Sequence, residues 1–184
     1  NGIDKVLKNR ASLEDVFEKI TQSSYFLSKA QKVIFKKHWD SRKAIYTESI
    51  HNAGAALRKS GNISDAISYY KMVVKLNPDA AEAHYNLGAV YYSDQNYEES
   101  ISHYKMAIKI KPDFAEVYSD LGKALVAEGK NEEAISHYKM AIKLNPDFAN
   151  AHHNLGGVFY RDQNYEEAIS HYKIAIKINP GFAT

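Results

Sequence analysis

Residues 81–114 read AEAHYNLGAVYYSDQNYEESISHYKMAIKIKPDF, and residues 149–182 read ANAHHNLGGVFYRDQNYEEAISHYKIAIKINPGF. Aligned without a gap, the two stretches agree at 25 of 34 positions. The same frame extends over 47–80 and 115–148, so that Pro78, Pro112, Pro146 and Pro180 stand 34 residues apart. A fixed period of about 20 to 50 residues marks a repeat architecture, in which each unit buries its apolar face against its neighbours. What such a chain holds on its surface then matters more than what reaction it could run.

Within the frame, the eighth position is Gly54, Gly88, Gly122 and Gly156, and the twentieth is Ala66, Ser100, Ala134 and Ala168. The twenty-fourth is Tyr70, Tyr104, Tyr138 and Tyr172, and the twenty-seventh is Val73, Ala107, Ala141 and Ala175. Apolar residues recur at helical spacing in two blocks, as in Ala83, Leu87, Val90, Tyr91 and then Ile101, Tyr104, Ala107, Ile108. Small residues at the eighth and twentieth positions let two helices approach, and the tyrosine fills the space left between them. Gly61-Asn62, Gln95-Asn96, Gly129-Lys130 and Gln163-Asn164 separate the blocks. Asn-Pro-Asp or Lys-Pro-Asp then ends the second helix and opens the next, because proline cannot continue a helix but suits its first turn.

This arrangement resembles the tetratricopeptide repeat family. The resemblance covers four consecutive copies, 47–80, 81–114, 115–148 and 149–182, without insertions. Departures are small. The fourth position, often Trp in the family, is Ile50, His84, Tyr118 and His152, Ser100 replaces Ala, and Ala53 stands where the other copies have Leu. The resemblance implies an all-α fold, a right-handed α-solenoid (superhelix) of helix-turn-helix repeats. First helices would line its concave face and second helices would face outward.

Residues 1–46 leave the period. Ser12 with Asp15 reads as a helix start before Leu13, Val16, Phe17 and Ile20, and a second apolar set follows in Tyr25, Phe26, Val33, Ile34 and Trp39. Two helices capping the N-terminal end of the stack are expected. This segment holds ten Lys/Arg against five Asp/Glu, whereas 47–184 holds 14 against 17. Its basic stretch (Lys29, Lys32, Lys36, Lys37, Arg42, Lys43) reads as a solvated helix face rather than a nucleic-acid or membrane contact. A third alternative is that it contacts the acidic groove of its own or a neighbouring chain. The absence of Cys excludes disulfides and thiolate metal sites and suits a cytoplasmic setting, although a targeting segment removed ahead of Asn1 is equally compatible with it. Gly181-Phe182-Ala183-Thr184 mirrors Asp147-Phe148-Ala149-Asn150, as the start of a truncated fifth repeat would. Either the chain continues in a longer protein, or the edge formed by Ile169, Tyr172, Ile176 and Ile178 pairs with another chain in a homo-oligomer.

For function, the resemblance implies that first-helix positions 2, 5, 6, 9, 12 and 13 line a groove. Position 2 is Glu48, Glu82, Glu116 and Asn150, and position 5 is His51, Tyr85, Ser119 and His153. Position 6 is Asn52, Asn86, Asp120 and Asn154. Position 12 is Arg58, Tyr92, Val126 and Tyr160, and position 13 is Lys59, Ser93, Ala127 and Arg161. A carboxamide offers donors and an acceptor that match the N–H and C=O of an extended peptide. The position-6 row thus resembles the asparagine ladder in the repeat region of O-linked N-acetylglucosamine transferase. Chaperone-adaptor repeats instead grip a C-terminal carboxylate with cations. Here Glu116 and Asp120 stand at such positions and would repel it, so a basic or neutral peptide is expected.

His103, His137 and His171 recur in Ser-His-Tyr-Lys. Stacked helices lie about 8–10 Å apart, so these three cannot share one metal, and they are expected on the outward face as ordinary polar residues. Adjacent His152 and His153 point to different sides of a helix and lack ligand geometry. No nucleophile, base and orienting group can be assembled, and no phosphate loop is present. The expectation is a non-catalytic protein–protein interaction module without cofactor or metal, binding an extended peptide or partner helix. Its main-chain contacts would come from the position-6 row, and its apolar contacts from Tyr85, Tyr92 and Tyr160. The alternatives are a scaffold or substrate-recruiting arm of a larger enzyme such as a glycosyltransferase, and a self-assembling solenoid.

Overall fold

A computed structural model of the chain describes residues 29–183, with side chains at positions 37, 44, 45 and 47–182. The expected N-terminal elements built on Ser12, Leu13, Asp15, Val16, Phe17, Ile20, Tyr25 and Phe26 lie outside the described residues, as do the side chains of Val33, Ile34 and Trp39. Of the basic stretch only the Lys37 side chain is described, and it is exposed.

The described residues are all-α, without a strand. The elements are α1 (Lys29–Lys59), α2 (Ile63–Leu76), α3 (Ala81–Ser93), α4 (Tyr97–Ile110), α5 (Ala115–Ala127), α6 (Asn131–Leu144), α7 (Ala149–Arg161) and α8 (Tyr165–Ile178), then a 3-10 turn, Pro180–Ala183. None of these helices is long and apolar enough to cross a membrane. The chain divides into two compact units, Asn1–Tyr46 and Thr47–Thr184. In the first, the described residues are helical from Lys29 onward. The second holds four hairpins: the end of α1 with α2, α3 with α4, α5 with α6, and α7 with α8. The helix that opens the first repeat begins well before the repeat does, because no Gly or Pro interrupts the sequence between Lys29 and Ala53.

Each hairpin turn follows one hydrogen-bonding scheme. In the second repeat, the Asn96 N–H donates to the Tyr91 carbonyl at 2.9 Å and the Gln95 N–H to that of Tyr92 at 3.1 Å. The first, third and fourth turns repeat this through Asn62→Leu57, Lys130→Leu125 and Asn164→Phe159. This is the Schellman ending, which needs one residue in the left-handed region. Gly61 (φ 81°) and Gly129 (φ 75°) meet that need without strain, whereas Gln95 (φ 62°) and Gln163 (φ 60°) carry a Cβ there. Left-handed geometry costs a non-glycine residue roughly 1–2 kcal/mol. Gln95→Gly and Gln163→Gly are therefore each expected to stabilise the fold by about 0.5–1 kcal/mol in urea titrations, once glycine's extra freedom in the unfolded chain is offset.

Between repeats, proline ends the second helix as expected but does not enter the first turn of the next. Pro78 stands before Asp79 and the N-cap Ala80, and α3 starts at Ala81. Those intervening residues reverse the chain, with the Ala80 N–H donating to the Asn77 carbonyl at 3.1 Å. Ala80, Phe114 and Phe148 cap α3, α5 and α7 without a side-chain hydrogen bond. These helix starts thus rest on tertiary packing more than on capping.

The packing is built on glycine against tyrosine. A Cβ placed on Gly88 would stand 2.5 Å from Cδ1 of Tyr104, and one on Gly122 would stand 2.6 Å from Cε1 of Tyr138. Only glycine lets the tyrosine ring of the second helix lie on the backbone of the first. Tyr70, Tyr104 and Tyr138 are in consequence at most 2% exposed. Ser100, which departs from the Ala of the other copies, is buried and satisfied, its Oγ–H donating to the Gly88 carbonyl at 2.8 Å.

Hairpins also pack on their neighbours. One buried cluster runs from Ile101 and Tyr104 on α4 through Leu121 and Leu125 on α5 and Tyr138 on α6 to Leu155 and Val158 on α7. A second joins Ala66 and Tyr70 on α2 to Leu87, Val90 and Tyr91 on α3. The core is thus spread along the array, as in a solenoid in which each repeat contacts its neighbours.

Candidate functional site

The first helices present two kinds of side chain. Leu87, Leu121 and Leu155 point into the core, while the residues before them remain wholly or partly accessible. Glu48, Glu82 and Glu116 at position 2 are all exposed. At position 6, Asn52 is exposed, and Asn86, Asp120 and Asn154 are half-buried. Tyr85 and Tyr92 are half-buried, His153 and Arg161 are exposed, and Tyr160 is 59% exposed.

Two position-6 residues already have partners. Asn86 Nδ2 stands 3.3 Å from His51 Nε2, one repeat back. Asp120 accepts from the Tyr85 hydroxyl at 3.0 Å, and the Lys123 ammonium lies 2.6 Å from its other oxygen. Burial, then the Asp120 carboxylate, pushes the Tyr85 hydroxyl well above the ordinary tyrosine range, so it stays protonated and donating. Lys123 also lies 6.0 Å from the Tyr92 ring centroid. Tyr85, Asp120, Lys123 and Tyr92 thus form one polar and aromatic strap between the second and third repeats. Asn52 and Asn154 make no side-chain hydrogen bond among the described residues, so the row has two engaged members between two open ones.

Position 5 is partly structural. Tyr85 sits between Tyr104 (centroids 6.0 Å) and Phe114 (5.2 Å). His153 sits likewise between Tyr172 (5.4 Å) and Phe182 (4.7 Å, stacked). A ring at position 5 here bridges the position-24 tyrosine and the phenylalanine that closes the same repeat. Along the acidic row, Glu82 meets Lys111 at 3.5 Å, an exposed pair of little energetic weight.

Sequence reasoning missed Lys123, although its spacing of three from Asp120 on a helix was a usable sign. It also placed the repeated histidines wrongly. His103 and His171 are half-buried and turned inward along the hairpin, each meeting the position-4 histidine of its first helix. The reason is that positions 4 and 23 face each other once Gly and Tyr have closed the hairpin, a relation that no local spacing reveals. Among the described residues, no three or more His, Cys, Asp or Glu converge as metal ligands.

Three family models match the chain. A tetratricopeptide repeat model covers residues 51–113, a TPR repeat model covers 122–163, and a further tetratricopeptide repeat model covers 149–182. No curated protein sequence matches it. Among solved structures, a crystal structure of MamA superposes with a TM-score of 0.70 at 24% identity, covering 86% of this chain and 98% of that one. MamA (residues 41 to the end) from Desulfovibrio magneticus RS-1 gives 0.69 at 21%, covering 91% and 93%. A mutant O-GlcNAc transferase from Thermobaculum terrenum gives 0.61 at 26%, covering 64% of this chain and 23% of that one. The MamA likenesses, below 25% identity, speak to the fold alone.

Proposed function

Because this chain belongs to the tetratricopeptide repeat family, and is a protein-interaction scaffold as such, we propose that it holds an extended peptide or partner helix against its first-helix wall without catalysing a reaction. The observation that carries this reading is the row at position 6. Asn52 and Asn154 keep their carboxamides open among the described residues, while Asp120 and Asn86 are held in place by neighbours. Open amides would take the partner's main chain. Glu48, Glu82 and Glu116, all exposed, favour a basic or neutral segment. Tyr160, exposed and paired with Tyr165 at 5.5 Å, offers an apolar contact with a polar tip. A substrate-recruiting role within a larger enzyme is the second reading, favoured by the likeness to part of an O-GlcNAc transferase.

The test is Asn52→Ala combined with Asn154→Ala, measured by fluorescence anisotropy against a library of 12-residue peptides of graded charge. Peptides that bind should be neutral or basic, and the double variant should weaken them by about tenfold, the loss of one or two hydrogen bonds. Its melting temperature should stay nearly unchanged. Undiminished binding by the double variant, or preference for acidic peptides, contradicts the reading.

A further inference from the structure

His84 and His152 hold the fourth position of the second and fourth repeats, and each is only 6% exposed. Nε2 of His84 stands 3.1 Å from the Pro78 carbonyl oxygen, and Nε2 of His152 stands 3.3 Å from that of Pro146. A carbonyl only accepts, so each Nε2 carries the hydrogen, and in the neutral ring Nδ1 is then a bare lone pair. That lone pair faces Nδ1 of a histidine on the second helix: His103 at 3.1 Å and His171 at 3.0 Å. The contact is attractive only if the second histidine supplies an Nδ1–H. A relay results, from His103 Nδ1–H to His84 Nδ1 and from His84 Nε2–H to the Pro78 carbonyl, with its copy in the fourth repeat. Each relay ties a first helix, a second helix and the preceding inter-repeat turn together. Tyr91 stacks on His103 at 5.6 Å, and Phe159 stacks on His171 at 5.8 Å, fixing the ring planes.

The third repeat supplies an internal contrast. It has Tyr118 in place of the first histidine, 5.9 Å from the His137 ring, and the first repeat has Ile50. Two of four hairpins therefore carry the pair.

One added proton per pair is tolerable, since it can sit on the far nitrogen of His103 or His171 and leave the bridging N–H in place. A second proton cannot be, because it sets N–H against N–H across about 3 Å. We propose that the two histidine pairs are proton-operated latches, holding the second and fourth hairpins closed near neutral pH and releasing them when acid drives a second proton into each pair.

The surroundings agree with this. His103 faces His84 and Tyr91 on α3, Lys71 on α2 and Glu99 on its own helix. Burial first, then His84 and Lys71, hold it down to about 4, with Glu99 opposing. His171 faces His152 and Phe159 on α7, Lys139 on α6 and Glu167 on its own helix, and it too is lowered, by burial first. A base whose folded pKa lies below its unfolded value near 6.5 is more protonated in the unfolded chain. Its contribution is therefore complete above about pH 6.5 and is lost as pH falls from there toward 4.

The experiment uses the full chain and the double variant His84→Tyr/His152→Tyr, which copies the third repeat. Thermal and urea unfolding are followed by circular dichroism from pH 8 to 4.5. A histidine shifted as far as His103 raises the unfolding constant about thirtyfold between pH 8 and pH 5. The wild type should show at least that rise, and the variant a clearly smaller one, since His103 and His171 stay buried there but lose the histidine partner against which a second proton clashes. Parallel pH curves for the two proteins would overturn the latch. Should the variant not fold, imidazole 15N shifts of the wild type decide the matter. Nδ1-protonated His103 and His171 that resist titration support the latch. Nε2-protonated, independently titrating rings refute it.

Discussion

Tyr104→Ala is expected to lower the unfolding free energy by about 3–5 kcal/mol, the usual cost of emptying a fully buried aromatic site. The ring is 2% exposed and lies on the Gly88 backbone. Gly88→Ala attacks the same contact from the other side. Its new Cβ would meet two ring atoms at 2.5 and 2.6 Å, and the enclosed ring has little room to retreat. Overpacking of this kind costs about 1–3 kcal/mol, partly offset by the better helix propensity of alanine. The two changes should couple, because the added methyl meets no ring once Tyr104 is gone, and the double variant should be less damaged than the separate losses predict. Gly157→Ala is the matched control. There the nearest atom is Tyr172 Oη at 3.6 Å, an ordinary contact, so about 0.5–1 kcal/mol of stabilisation is expected. Equal effects of Gly88→Ala and Gly157→Ala in urea titrations would refute the glycine–tyrosine account.

The second large effect compares one repeat position in two nearly identical hairpins. Ile101 and Ile169 occupy it in α4 and α8, yet Ile101 is 7% exposed and Ile169 is 53% exposed. The difference lies in what covers them. Ile101 belongs to the cluster that includes Leu121 and Leu125 on the following helix. Ile101→Ala should cost about 2–4 kcal/mol, whereas Ile169→Ala should cost well under 1 kcal/mol. Similar losses at both positions would mean that each hairpin is stabilised alone and that nesting contributes little.

The hairpin array was legible in the sequence because its determinants are local and periodic. Proline ends one helix, Gly or Gln followed by Asn or Lys turns the chain, and glycine and tyrosine mark where two helices touch. The acidic row and the position-6 row came instead from the family resemblance, which says which first-helix positions line a groove. What escaped was contact between residues far apart in the chain. Tyr85 reaches Asp120 across 35 positions, and His84 reaches His103 across 19. Neither separation is a helix spacing, so nothing in a local window connects them. The extension of α1 back to Lys29 escaped for the opposite reason: helix propensity does not stop where sequence periodicity begins.

Site-specific photo-crosslinking tests most directly whether the first-helix wall receives the partner. A benzophenone amino acid is placed in turn at positions 52, 92 and 160 on first helices and at the exposed Ser102, Ser136 and Ser170 on second helices, and a binding peptide from the charge-graded library is added. Crosslinks confined to the first-helix positions, suppressed at positions 92 and 160 by Asn52→Ala with Asn154→Ala, are the predicted result. Crosslinking from Ser102, Ser136 or Ser170 with none from 52, 92 or 160 would contradict it.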